Sequence, residues 1–70
     1  MLIQLTRIDG SKININPIQI EMIEKKINTV IRMMNEVTYI VLEGPEEINN
    51  KIKEKIVEVV RYYKEKGNGR

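Results

Sequence analysis

Apolar residues recur with a period of two over the first half of the chain and with a helical period over the last third. Ile3 and Leu5 alternate with Gln4 and Thr6, and Ile13 and Ile15 alternate with Lys12 and Asn14. Asp9-Gly10 between them is a hairpin signal. A two-residue loop would set Leu5 opposite Asn14 and mix apolar with polar on one face. A three-residue loop, Asp9-Gly10-Ser11, sets Leu5 opposite Ile15 and Arg7 opposite Ile13, so that Ile3, Leu5, Ile13 and Ile15 share a face. Gly10 then supplies the positive φ of a bulged turn.

Asn16-Pro17 breaks this second strand, because proline removes a ladder donor. Ile18, Ile20 and Met22 alternate with Gln19 and Glu21, which favours a turn followed by a strand over residues 18–24. A helical turn starting at Asn16, with Pro17 first, is the competing reading. Lys25-Lys26-Ile27-Asn28 forms the next turn, and Thr29 to Leu42 a second hairpin around a two-residue Asn35-Glu36 loop. That loop sets Ile31 opposite Ile40 and Met33 opposite Thr38. The other face, with Val30, Arg32, Met34, Val37, Tyr39 and Val41, is also mostly apolar, whereas a half-exposed strand is polar outside. The sheet is therefore expected either to curl into a small barrel or to be covered by another subunit, a homo-oligomer.

Gly44-Pro45-Glu46-Glu47 opens a helix, with proline in the first turn and two acids at the positive end of the dipole. Ile48, Ile52, Ile56, Val59, Val60 and Tyr63 form its apolar stripe, opposite Glu47, Lys51, Glu54, Glu58, Arg61 and Glu65. From Pro45 to Glu65 it would run about 31 Å, longer than a small sheet needs, so its last turns project. The expected fold is α+β: a small antiparallel sheet of about five short strands, then one long amphipathic helix over its inner face. Residues 1–66 make a single domain and 67–70 a mobile tail.

Composition narrows the chemistry. The 70 residues hold no Cys and no His, which removes disulfides, thiolate metal sites and the commonest general base. The apolar runs are too short for a signal peptide core or a membrane span, so the chain is expected to be cytoplasmic. The net charge of +2 comes from the C-terminal part, where residues 44–70 carry seven basic and five acidic side chains. That excess is too mild to indicate nucleic-acid binding by itself.

Glu54 and Glu58 are the nearest pair of carboxylates, but Lys51, Lys55 and Arg61 flank them and nothing in the sequence desolvates them. Gly10 and Gly44 are isolated turn residues rather than a phosphate loop, and Ser11, the only serine, has no base. No catalytic, cofactor or metal site is expected, and no enzyme. Arg7, Lys12 and Arg32 could form a basic patch with Tyr39 as a stacking platform, although scattered charges that discourage strand aggregation are the simpler account. Tyr62, just off the helix stripe beside Tyr63, suits a partner anchor and a core edge equally. These five residues are the candidate partner contacts.

The segments Leu5-Thr6-Arg7-Ile8-Asp9-Gly10-Ser11, Ile15-Asn16-Pro17, Ile20-Glu21-Met22-Ile23-Glu24 and Asn28-Thr29-Val30-Ile31, in that order, resemble the FlbD/SwrD family of small flagellar proteins over about residues 1–63. The chain departs from the family pattern in two turns, at Ile27-Asn28 and Asn35-Glu36. The resemblance implies a bacterial cytoplasmic protein that supports motility, helping the motor develop torque through contacts with motor components on its cytoplasmic side. It carries no catalytic residues. The first seven residues with Gly10, and later Glu46-Glu47-Ile48, are also similar to the CsrA family of RNA-binding translational regulators. There a basic residue precedes the helix, where this chain has Gly44-Pro45.

Overall fold

The computed structural model describes residues 1–68, with side chains through Glu65. Five short strands and one helix follow in chain order: β1 (Ile3–Thr6), β2 (Lys12–Ile15), β3 (Ile20–Lys25), β4 (Thr29–Met33), β5 (Thr38–Val41) and α1 (Pro45–Asn68). β1 and β2 form one antiparallel sheet, and β3, β4 and β5 form a second in that order. The expected α+β architecture is present. The sheets are not closed into a barrel.

In the first hairpin Ile3 pairs with Ile15 and Leu5 with Ile13, which puts all four on one buried face as the alternation requires. The loop has three residues, but they are Ile8, Asp9 and Gly10 rather than Asp9 to Ser11. The Arg7 amide donates to the Ser11 carbonyl at 2.8 Å, and the Gly10 amide donates to the Arg7 carbonyl at 2.9 Å. Gly10 sits at φ +89°. A three-residue hairpin loop places its left-handed residue last, so glycine closes the loop and the pairing moves by one residue on each strand.

The second hairpin repeats this construction. The Met33 amide donates to the Val37 carbonyl at 2.8 Å, and the Glu36 amide to the Met33 carbonyl at 2.9 Å. Glu36 takes the left-handed position with φ +72°. The side chains match as well: Asp9 Oδ1 accepts from the Ser11 amide at 2.9 Å, and Asn35 Oδ1 from the Val37 amide at 3.1 Å. The loop is therefore Met34-Asn35-Glu36, not the expected Asn35-Glu36 pair.

That extra residue changes which face β5 shows. Ile31 pairs with Tyr39 and Thr29 with Val41, so Tyr39 and Val41 join the core face while Thr38 and Ile40 turn out with Val30 and Arg32. The second apolar face expected from the two-residue loop is thereby broken up by Arg32, Thr38 and Glu24. A slip of one residue inverts every side chain of a strand.

Between the hairpins both readings of residues 18–24 contribute. Asn16 caps a short 3-10 turn, Pro17–Gln19, its Oδ1 accepting from the Ile18 amide at 3.0 Å, with proline in the first turn. β3 begins directly after it. An irregularity between Ile20 and Met22 shifts the register, so that Ile20 and Ile23 pack on the core while Met22 faces solvent. Ile27, at the tip of the following turn, is almost fully exposed.

The buried core is Ile3, Leu5, Ile13 and Ile15 from one sheet, Ile31, Met33 and Val41 from the other, and Ile48 from α1. Among the described residues, Ile52 is the only later helix residue packed against it. Of the expected helix stripe, only its first two members therefore cover the sheets. The helix runs through Asn68, and of the expected tail Gly69 and Arg70 lie outside the described residues. Its remaining turns project, and the molecule measures 49 × 22 × 19 Å along its principal axes.

Candidate interaction surface

Thr6, Arg7 and Glu43 join the two sheets. The Leu42 amide donates to the Thr6 carbonyl at 2.8 Å, and Arg7 bridges antiparallel to Val41, so the end of β1 lies along the end of β5. The Thr6 amide and hydroxyl both donate to the Glu43 carboxylate, at 2.8 Å each, and Lys12 Nζ donates to Thr6 Oγ1 at 2.7 Å. Burial by itself pushes the Glu43 carboxyl up. The Thr6 bonds, the backbone amide of Glu43 and the charge of Lys51 outweigh it and hold the group below the usual glutamate range. Asp9 is likewise held below its usual range by the Ser11 hydroxyl and amide, in a fully exposed turn.

The candidate contact residues divide among three places. The Arg7 guanidinium carbon lies 5.8 Å from the centre of the Tyr39 ring, a cation–π contact. Lys12 is tied to Thr6 beside it. Arg32 is on the opposite face of the second sheet, with Nε 3.4 Å from Glu21 Oε1 and a guanidinium nitrogen 3.8 Å from Glu36 Oε1. Tyr62 is far along the helix, its ring edge-on to Tyr63 with centroids 5.6 Å apart. No single basic patch forms: Arg7 meets Tyr39, Lys12 bonds Thr6, and Arg32 and Tyr62 lie elsewhere.

Sequence reasoning missed the Glu43 clamp. No local spacing links residues 6 and 43, and the only signal is an acid placed just ahead of Gly44-Pro45. Most of the expected helix stripe lies open. Ile48 is 0% exposed, but Ile56 is 48%, Val60 51% and Tyr63 69% exposed. A groove of ≈ 250 Å³ between β1 and α1 is lined by Ile3, Gln4, Lys51, Glu54, Lys55 and Glu58. Glu54 and Glu58 are exposed and Lys51 and Lys55 half-buried, and among the described residues no three His, Cys, Asp or Glu side chains converge to hold a metal ion. The surface therefore offers contact area: an open apolar stripe on the helix, and a sheet face where Met22, Val30 and Ile40 surround Arg32.

The family model described as FlbD, flagellar and swarming motility proteins, matches residues 2–66, nearly the whole chain. The chain belongs to the FlbD family. The match spans both hairpins and the helix to within a few residues of its end, so the small α+β unit seen here is the family's unit in this chain. The Leu5-to-Ser11 segment acquires a structural meaning: Leu5 fills the core, Thr6 clamps Glu43, Arg7 covers Tyr39, and Ile8 to Gly10 make the turn. No curated protein and no solved structure matches the chain. The resemblance to CsrA-type regulators gains no support, since Gly44 and Pro45 lead directly into α1. Among the described residues no helix is long and apolar enough to cross a membrane.

Proposed function

We propose that this FlbD-family chain supports flagellar motility without catalysing a reaction, by binding protein components of the motor from the cytoplasmic side and aiding torque generation. The family match over residues 2–66 carries this reading. The surface agrees with it, because apolar side chains stand exposed on the helix and on the outer sheet face. Arg32, on that outer face beside Met22, Val30 and Ile40, is the contact residue best placed to meet a partner. Arg7 and Tyr39, in contact across the two sheets, act behind it, and Lys12 bonds Thr6 within the first hairpin. Deleting the gene in its host should weaken swimming and swarming while filaments still assemble, as scored by swarm expansion and filament staining. Motility equal to that of the parent strain would overturn the proposal.

A further inference from the structure

β2 is an outer strand of the first sheet, paired with β1 on one side and with no strand on the other. Thr6, opposite Lys12, sends its amide to Glu43 and takes the Leu42 amide on its carbonyl, so this pair makes no ladder bond. Antiparallel pairs alternate, which makes Ile13 and Ile15 the bonded residues of β2. The amides and carbonyls of Lys12 and Asn14 therefore point away from β1, and among the described residues they bond to nothing. Lys12, the only charge on the strand, turns its Nζ back toward β1, 2.7 Å from Thr6 Oγ1. β3, the other outer strand, is guarded: its register shifts between Ile20 and Met22, it carries Glu21, Glu24 and Lys25, and α1 packs against it. β2 pairs without a shift.

A cleft of ≈ 230 Å³ opens at this edge. Asn14 and Ile15 leave opposite faces of the strand and both line it, so it runs along the edge rather than over a face. Ile15 and Met33 form an apolar floor, and Tyr39 a wall with its ring against Arg7. The rim is four carboxamides, Asn14, Asn16, Gln19 and Asn35, and among the described residues no charged side chain lines the cleft. Asn16 and Asn35 commit their Oδ1 atoms to the Ile18 and Val37 amides, which leaves the donors of each Nδ2 uncommitted. The Met34 amide donates to the Gln19 carbonyl at 2.8 Å and ties the two sides of the rim together. Cavities that hold whole small ligands run to about 300–1,000 Å³, so this one suits a short piece of chain. Neutral donors and acceptors beside an unpaired strand edge match a peptide main chain, and the apolar floor matches one uncharged side chain. We infer that an extended, uncharged segment of a protein partner adds to the outer edge of β2. It bonds the main chain of Lys12 and Asn14 and lays an apolar side chain over Ile15 and Met33. This edge is separate from the outer sheet face with Arg32, so a failed test here leaves the motility reading intact.

The probe is a displayed library of short uncharged peptides, selected on the purified full chain. Enriched peptides should alternate polar and apolar residues, and a synthetic copy should shift the Lys12 and Asn14 amide signals in NMR spectra. Asn14→Pro removes the outward donor at a place where an edge strand tolerates proline. It should weaken binding by about three- to tenfold, the effect of one main-chain bond. Gln19→Glu, at an exposed position outside the core, should weaken it as well by bringing a charge to the neutral rim, and it gives a reading even if the proline variant does not fold. A library that yields no binder, shifts at Ile23 and Lys25 of β3 instead, or unchanged affinity in either folded variant would overturn the proposal. So would Lys12 and Asn14 signals that move with protein concentration alone, since a second copy would then cover the edge.

Discussion

Gly10 and Glu36 occupy equivalent places in the two hairpins, yet only one of them is suited to its backbone. Glu36 at φ +72° brings its Cβ against the following carbonyl, a cost of about 1–2 kcal/mol for an L residue. Glycine escapes that cost but gives up chain entropy on ordering. Glu36→Gly should therefore stabilise the fold by about 0.5–1 kcal/mol in urea denaturation, even though it removes the ion pair to Arg32, because exposed pairs are worth little. Thr6 and Glu43 add a titration. A carboxyl held below its unfolded value contributes stability that is present above that value and lost as pH falls through the folded one. Lowering pH below the usual glutamate value of 4.5 should reduce the urea midpoint of the parent chain. Glu43→Gln should flatten part of that dependence, and an unchanged slope would show that the clamp does not form.

Elements were legible where a period is repeated and short-sighted where a loop sets the count. Five strands and a helix follow from alternation and from the 3.6-residue stripe, and the order matches the structure. The β5 face did not follow, because a two-residue and a three-residue loop around Asn35 differ by one residue and invert the strand. Hydrophobic patterning could choose between loops in the first hairpin, where the wrong register mixes Ile with Asn. It could not do so in the second, where both faces carry Val, Ile or Met. The helix shows the complementary limit. Periodicity marks a stripe but not where the sheet beneath it ends. Ile48→Ala should cost about 2–5 kcal/mol as a core truncation, whereas Ile56→Ala should change monomer stability by less than about 1 kcal/mol, both read from urea unfolding of dilute protein.

For the whole molecule, a compact β-rich head and a projecting helix imply two levels of stability. A helix segment without tertiary packing is marginal at this length, so amides of 56–65 should exchange faster than those of β1, β4 and the first turns of α1. Hydrogen exchange of the purified chain measures it. Arg7, Lys12 and Tyr39 were legible in the sequence as candidate contact residues. The contacts of Arg7 with Tyr39 and Val41 across the sheets depend on chain ends that only folding brings together.

The sequence by itself determined the class of fold, the element order, the buried face of the first hairpin and the amphipathic stripe, because these depend on periodicity among near neighbours. Tertiary structure decided the register of the second hairpin, the clamp between residues 6 and 43, and the length of helix left uncovered. Each of those depends on where distant segments stop in space, and no local pattern encodes that distance.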